Sequence, residues 1–220
     1  MAEIHTHRTF GGSGRASRGM AMLPLLGAAF GGLLIVSGCA DTQKEDPVVA
    51  TEHVCSSCHG MSGNSVSPTF PRLAGQQKAY IVTQLKAFRD HSRADPHAHT
   101  YMWGMAAKLD DATIEGLAAF YSSQKVVAGA PADSTDVAAG KKIFEEGVTA
   151  RDVPACSGCH GDQAQGGDAF PRLAGQHPQY IERQLAAFSS NARANEIMHQ
   201  NSKNLNETEM RQLAAYLSTL

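Results

Sequence analysis

The sequence predicts an all-α chain built as two tandem copies of one unit, and three observations carry that expectation. A block of residues repeats at an offset close to 100, apolar residues in each copy recur at helical spacing, and no stretch alternates apolar with polar residues as a half-buried strand does. The repeat is legible by eye. Cys55-Ser-Ser-Cys58-His59-Gly60 returns as Cys156-Ser-Gly-Cys159-His160-Gly161, and Phe70 to Gln76 returns letter for letter as Phe170 to Gln176. Tyr80 to Phe88 returns with the same spacing of Tyr, Ile, Gln, Leu and Phe as Tyr180 to Phe188. The offset is 101 residues at the cysteines, 100 in the middle and 96 near the end, so the length differences fall in loops.

The segment ahead of the repeat belongs to targeting, not to the fold. Arg8, Arg15 and Arg18 precede an apolar run from Met20 to Val36 that closes on Ser37-Gly38-Cys39. Val36-Ser37-Gly38-Cys39 resembles a bacterial lipobox, which implies that Cys39 is acylated and becomes the mature N-terminus. The alternative is an uncleaved anchor helix, but a 17-residue run interrupted by Pro24 and by glycines is marginal for ~30 Å of hydrocarbon. Residues 1–38 are therefore expected to be a lipoprotein-type signal peptide and 39–46 a tether. Both readings hold the chain on the periplasmic side of a bacterial membrane, the first of them by a lipid anchor.

The first unit is expected over residues 47–124. Only Pro47 to Val54 stand ahead of its cysteines, so its opening helix reads as short. Ile81, Gln84, Leu85 and Phe88 share a helix face, and a closing helix follows Asp110 with Ile114, Leu117, Ala118 and Tyr121 on one side. Residues 125–136, rich in Ala, Gly, Pro and small polar residues, read as a linker. The second unit, 137–220, opens with a helix through Ala138 to Glu146, repeats the middle helix at Ile181 to Phe188, and closes after Asn206. There Glu209, three residues on, completes a capping-box pattern before Met210, Leu213, Ala214 and Leu217.

Cys-x-x-Cys-His is the attachment pattern for a c-type haem. Two thiols two residues apart on one helical turn reach the two vinyl groups on one porphyrin edge, and the adjacent His59 or His160 projects under the iron. A zinc site would set its two cysteine knuckles ~15–20 residues apart, whereas 97 residues lie between Cys58 and Cys156. A thioredoxin-like pair expects a βαβ setting, and a plain disulfide leaves the repeated histidine unexplained. The five cysteines are then accounted for: Cys55 with Cys58 and Cys156 with Cys159 for two haems, and Cys39 for lipid. Units of about eighty residues also need such a cofactor as their core. Leu73 and Leu173 are expected to pack on the haems, and Tyr80, Leu85, Phe88 and Leu117 to pack on the haem or between helices. The Pro71 and Pro171 carbonyls are candidate acceptors for the second ring nitrogens of His59 and His160. With 19 Lys+Arg against 21 Asp+Glu there is no basic excess for nucleic acid.

These residues resemble a class I cytochrome c, in which Cys-x-x-Cys-His is followed by Pro-x-Leu-x-Gly and then by a methionine before the last helix. Two such units in tandem, each with Phe-Pro-x-Leu-Ala-Gly-Gln, resemble the dihaem cytochrome c4 family over roughly Val48 to Leu220. That resemblance implies two covalently bound haems with histidine and methionine axial ligands. It also implies a periplasmic electron carrier and no enzymatic reaction. Its redox partners would be a donor such as a quinol–cytochrome c reductase and an acceptor such as a terminal oxidase.

Met198 lies seven residues before Leu205, and seven back from the equivalent Leu109 is Met102. Met102 and Met198 are therefore the expected distal ligands, with Met105 or His99 as substitutes in the first copy. The same count pairs His97 with Arg193 and His99 with Asn195. A dedicated cytochrome subunit of a membrane oxidoreductase is the alternative function, and a dihaem peroxidase a more distant one.

Overall fold

The structure is a computed structural model that describes residues 46–129 and 131–220. Cys39 and the export segment lie outside the described residues. Among the described residues the fold is helical, and extended pairing is confined to two isolated bridges, Val148 with Val153 and Gly167 with Phe170.

The first copy opens with α1, Pro47–His59. It is not the short helix the sequence suggested. The Asp46 carboxylate accepts the Val48 N–H at 2.8 Å, and Pro47 sits at the first helical position, where no N–H is needed. The helix then runs unbroken through both cysteines to His59, because Cys-Ser-Ser-Cys-His contains nothing that stops a helix. Gly60 stops it, at φ 77°, where a Cβ would press on the Asn64 carbonyl oxygen at 2.7 Å. Helix α2 spans Lys78–Arg89, a π-type turn covers Ala98–Met102, and the short α3, Trp103–Ala106, follows directly. Helix α4, Asp111–Ser122, starts where the Asp110 carboxylate takes the Thr113 N–H at 2.7 Å. Ile81 of α2 and Leu117, Ala118 and Tyr121 of α4 form one apolar cluster with Leu73 and Cys55 on its edge. Phe88, Ala98 and Ala106 form another, with Met102 and Trp103 packed against it.

The second copy opens with α5, Ser134–Glu146, inside the stretch read as linker, because the Asp133 carboxylate accepts the Thr135 and Asp136 N–H groups. The cysteine turn is the separate helix α6, Ser157–His160, followed by α7, Pro178–Ser189, α8, Glu196–Ser202, and α9, Glu207–Thr219. The capping box at Asn206 and Glu209 is complete, a device that typically contributes about 1 kcal/mol. Helix α5 lies along α9 with Gly140 at the closest approach, where a Cβ would fall on the Gln212 carbonyl oxygen. Phe144, wholly buried, packs against Tyr216 at 5.6 Å between ring centroids.

One expected register changes. Arg93 and Arg193 occupy matching buried positions, each over the phenylalanine that ends its middle helix, at 4.7 Å from Phe88 and 4.5 Å from Phe188. The offset of 100 therefore persists through Arg93 and Asp95, which pair with Arg193 and Asn195. His97 and His99 are not the counterparts of those residues. They belong to four extra residues between Asp95 and Met102, about one helical turn, taken up by the π-type turn. Beyond it the copies match again, as Leu109 N–H bonds the Ala106 carbonyl and Leu205 N–H that of Ser202, both at 3.0 Å.

Candidate haem-binding sites

Helix α1 sets Cys55 and Cys58 about one turn apart, so their thiols share a face directly ahead of His59. Cys55 is half-buried and Cys58 exposed, and Cys156 and Cys159 repeat that division. His59 and His160 are buried. The Nδ1 of His59 lies 2.9 Å from the Pro71 carbonyl oxygen, and that of His160 lies 3.0 Å from the Pro171 oxygen. A carbonyl only accepts, so Nδ1 donates in both copies and Nε2 keeps its lone pair for a metal. Burial pushes both imidazoles below the ordinary histidine range, against the opposing pull of the proline carbonyls, and so favours the neutral, ligating form. The loop that presents the carbonyl is itself pinned: Leu73 N–H bonds the Gly63 oxygen and Leu173 N–H the Ala164 oxygen, each at 2.8 Å.

The two half-buried thiols are held in the protonated form. Burial and the nearby Glu52 raise the Cys55 pKa, and burial pushes Cys156 up to about 11. Leu73 sits in the cluster that holds Cys55, and Leu173 in the one that holds Cys156.

The methionines separate by burial. Met102 is half-buried beside Phe88, Ala98 and Ala106, whereas Met105 is 46% and Met61 85% exposed. The preceding residue, Tyr101, stands edge-on to Phe70 at 5.3 Å, and Phe70 is edge-on to His59 at 6.1 Å, which brings the Met102 segment toward the His59 side of the unit. Met198 is half-buried on α8, where its N–H bonds the Asn195 side-chain oxygen at 2.9 Å. Met210 is a core residue. His91 stacks on Trp103 at 4.1 Å, and His99 meets the same ring edge-on at 4.5 Å.

The two copies exchange bonds across a pseudo-symmetric seam that sequence reading missed. The Gln76 amide donates to the Arg172 carbonyl at 3.0 Å and accepts the Arg172 N–H at 2.7 Å. Gln176 does the same to Arg72, at 2.9 and 2.8 Å. Deeper in, Arg93 donates to Gln84 at 2.8 Å and to Gln184 at 2.9 Å, and Arg193 donates to the same two oxygens at 2.6 Å each. Arg193 also bonds the Tyr80 hydroxyl at 2.8 Å. The available signal was a set of polar letters, Arg72, Gln76, Gln84 and Arg93, kept identical at an offset of 100, of which Gln84 lies on a helix face otherwise apolar.

The charges at this seam do not balance. Of the two buried guanidiniums, Arg93 has a carboxylate, Asp95 at 2.8 Å, while Arg193 has none among the described residues. An uncompensated buried cation calls for an anionic group. The propionate carboxylates that a haem carries match that need, as the outward Nε2 lone pairs and paired thiols match its iron and vinyl groups.

His177 gives the seam a pH dependence. It is buried, with Nε2 2.9 Å from the Ser65 carbonyl, whereas its counterpart Gln77 donates to the Gln165 carbonyl at 3.0 Å. Burial first and then the Arg72 charge lower its pKa, the Ser65 carbonyl works the other way, and Arg183 lowers it further. The unfolded chain thus takes up this proton near pH ~6.5 and the folded chain only at lower pH. Stability is complete above that value and declines as pH falls through the window beneath it. His177→Gln, which copies Gln77, is expected to flatten the fall of Tm as pH drops below about 6.5. Equal slopes for parent and variant would show that His177 does not titrate in this window.

The cytochrome c family matches twice, over residues 48–125 and 137–220. A structure of cytochrome c4 from Acidithiobacillus ferrooxidans superposes with a TM-score of 0.72 at 46% identity, covering 76% of this chain and 98% of that one. The chain belongs to the dihaem cytochrome c4 family. Within reach of it lies cytochrome c-552 of Acidithiobacillus ferridurans, 43% identical over 201 residues, 87% of this chain and 86% of that protein. A thiosulfate dehydrogenase electron acceptor of Stutzerimonas stutzeri is 41% identical over 207 residues, 90% of this chain and 94% of the relative. As a cytochrome c4 family member with two cytochrome c domains, the chain binds two haem c covalently, at Cys55 and Cys58 and at Cys156 and Cys159, and carries electrons.

Proposed function

We propose that this chain is a membrane-tethered periplasmic carrier of single electrons whose irons are held by His59 with Met102 and by His160 with Met198. The observation that carries the reading is the matched pair of buried imidazoles on proline carbonyls, 2.9 and 3.0 Å away. In each copy a half-buried methionine stands seven residues before the leucine that precedes the last helix. A haem held there by imidazole and thioether would supply one-electron chemistry at its iron. Pro71 and Pro171 fix the tautomer and ring direction of the histidines. Leu73 and Leu173 would exclude water beside the cysteines, and Arg193 at the seam would receive a haem carboxylate. Acylated Cys39 would hold the carrier at the membrane, between a donor such as a quinol–cytochrome c reductase and an acceptor such as a terminal oxidase.

A second reading, service to one dedicated oxidoreductase, is favoured by the relative named for accepting electrons from thiosulfate dehydrogenase. One preparation tests both. Native protein extracted from membranes with mild detergent should give a mass beginning at a lipid-modified Cys39, and after reduction its visible spectrum should not change under carbon monoxide. A spectrum altered by carbon monoxide would mean an open iron and remove the carrier reading. Stoichiometric co-purification of an oxidoreductase would establish the second reading over the roaming carrier.

A further inference from the structure

The outer face of α1 carries no formal charge, and α1 is the first helix after the tether. Val48, Thr51, Glu52, Cys55 and His59 recur at helical spacing on its inner side, partly or wholly buried. Val48 sits against Gly116 of α4, and Glu52, the sole carboxylate between Pro47 and His59, lies near Cys55. Ala50, His53, Val54 and Ser57 form the opposite stripe, all exposed, and Cys58 on the same side ends it at the first haem site. The loop beyond continues the pattern. Met61 is 85% and Val66 93% exposed, and no charged residue stands from Gly60 to Pro71. The Ser65 hydroxyl, 3.4 Å from the Cys58 carbonyl, holds that loop at the end of the helix. A solvated helix face ordinarily carries charged side chains. The second copy follows that rule: its opening helix α5 exposes Lys141, Lys142, Glu145 and Glu146, and its matching loop exposes Asp162 and Asp168.

The length of the tether says what covers this face. Seven residues separate Cys39 from Asp46, the residue that caps α1. Fully extended they span at most about 25 Å, and α1 adds about 20 Å. With Cys39 acylated, the whole outer face stays within reach of the lipid headgroups. We propose that the uncharged face of α1 and its following loop rests on the lipid surface, so that the first haem site is the one carried next to redox partners embedded in the membrane. The inference rests on the acylation of Cys39 proposed above. A few exposed apolar side chains do not hold a free protein on a bilayer. A short tether changes that balance, because the contact then forms at an effective concentration in the millimolar range. The lipid chain supplies attachment, and the face supplies direction. Without carboxylates the face does not repel anionic headgroups, and without lysine or arginine its contact has no charge for salt to screen. Asp162 and Asp168 give the matching loop of the second copy the opposite character, so the two copies do not compete for the surface.

The test places the native dihaem protein on vesicles of phosphatidylethanolamine and phosphatidylglycerol, with the same protein cut in its tether as reference. Amide hydrogen exchange is read by mass spectrometry. Residues 60–67 are expected to exchange about tenfold more slowly on the vesicles, the value for a face covered about nine-tenths of the time. The protection should be equal in low and high salt. The matching loop, residues 161–168, should exchange alike in both preparations. Met61→Glu combined with Val66→Glu should abolish the protection while the chain stays on the vesicles, since both side chains are exposed and the acylation site is untouched. Val54→Glu, on the helix itself, is an independent variant and should weaken it. An anchored chain whose residues 60–67 are unprotected would overturn the inference and leave the acylation reading standing. Protection lost in high salt would overturn it too, as would protection of the cut protein that grows with its concentration, which would assign the face to a second copy. A chain that washes off the vesicles with no lipid at Cys39 would overturn the acylation reading and this inference with it.

Discussion

Met102→Ala is expected to remove the near-infrared sulfur-to-iron charge-transfer band of one haem and leave the other intact. The same substitution should open one iron per chain to carbon monoxide and lower that haem's potential, because a thioether that favoured the ferrous state is gone. The effect is all-or-none at the first site, since deleting an axial ligand cannot be compensated by repacking. Met105→Ala is the control. Met105 lies 46% exposed, while Met102 is packed with Phe88 and Ala106, so its loss should leave both bands unchanged. His99→Ala is a second control, because His99 is held edge-on to Trp103 in the extra turn. A silent Met102→Ala beside a Met105 or His99 variant that loses a band would place the first distal ligand elsewhere.

Gly140→Ala should be the most damaging single methyl in the second copy. The added Cβ lands on the Gln212 carbonyl oxygen of α9, and backbone cannot swing aside as a flexible side chain does. Either α5 moves off α9 or the helix bends, and both loosen Phe144, wholly buried between them. Overpacking typically costs about 1–3 kcal/mol, and a clash with backbone belongs at the upper end. A loss of about 3 kcal/mol in a domain of this size lowers Tm by roughly 10–20 °C. Differential scanning calorimetry should show the drop in the transition of the second copy. Gly158→Ser is the matched neutral change, because nothing lies within 4 Å of its Cβ position and Ser57 already stands there in the first copy. If both variants melt alike, the close crossing of α5 and α9 is not tightly held.

What could be read from the sequence was whatever both copies state in the same letters with a local meaning. The cysteines, the two histidines, the middle helices and the capping box at Asn206 are short-range patterns, and α2, α7 and α9 lie where periodicity puts them. The length of α1 was hidden because its last turn is made of the motif residues themselves, which read as chemistry and not as helix. The register around His97 and His99 was hidden because counting back from Leu109 carries the insertion along unseen. Only the buried positions of Arg93 and Arg193 show where it falls. The seam was hidden for a further reason. Gln76 and Gln176 look like part of a haem-packing loop, and their amides are used about a hundred residues away in the other copy.

That exchange of glutamines has a consequence for how such a chain comes to exist. Each copy gives the other the same bonds it receives, which is the signature of an isologous contact between identical molecules. A single unit carrying Phe-Pro-Arg-Leu-Ala-Gly-Gln already holds both halves of the contact, so a homodimer would be the natural precursor of the fused protein. Joining the two through residues 125–136 replaces the concentration of free subunits with an effective concentration in the millimolar range. Once covalently paired, the partners no longer need to be identical. One copy is free to keep a buried aspartate where its twin has an exposed asparagine, and a symmetric dimer can become a molecule with two unlike halves.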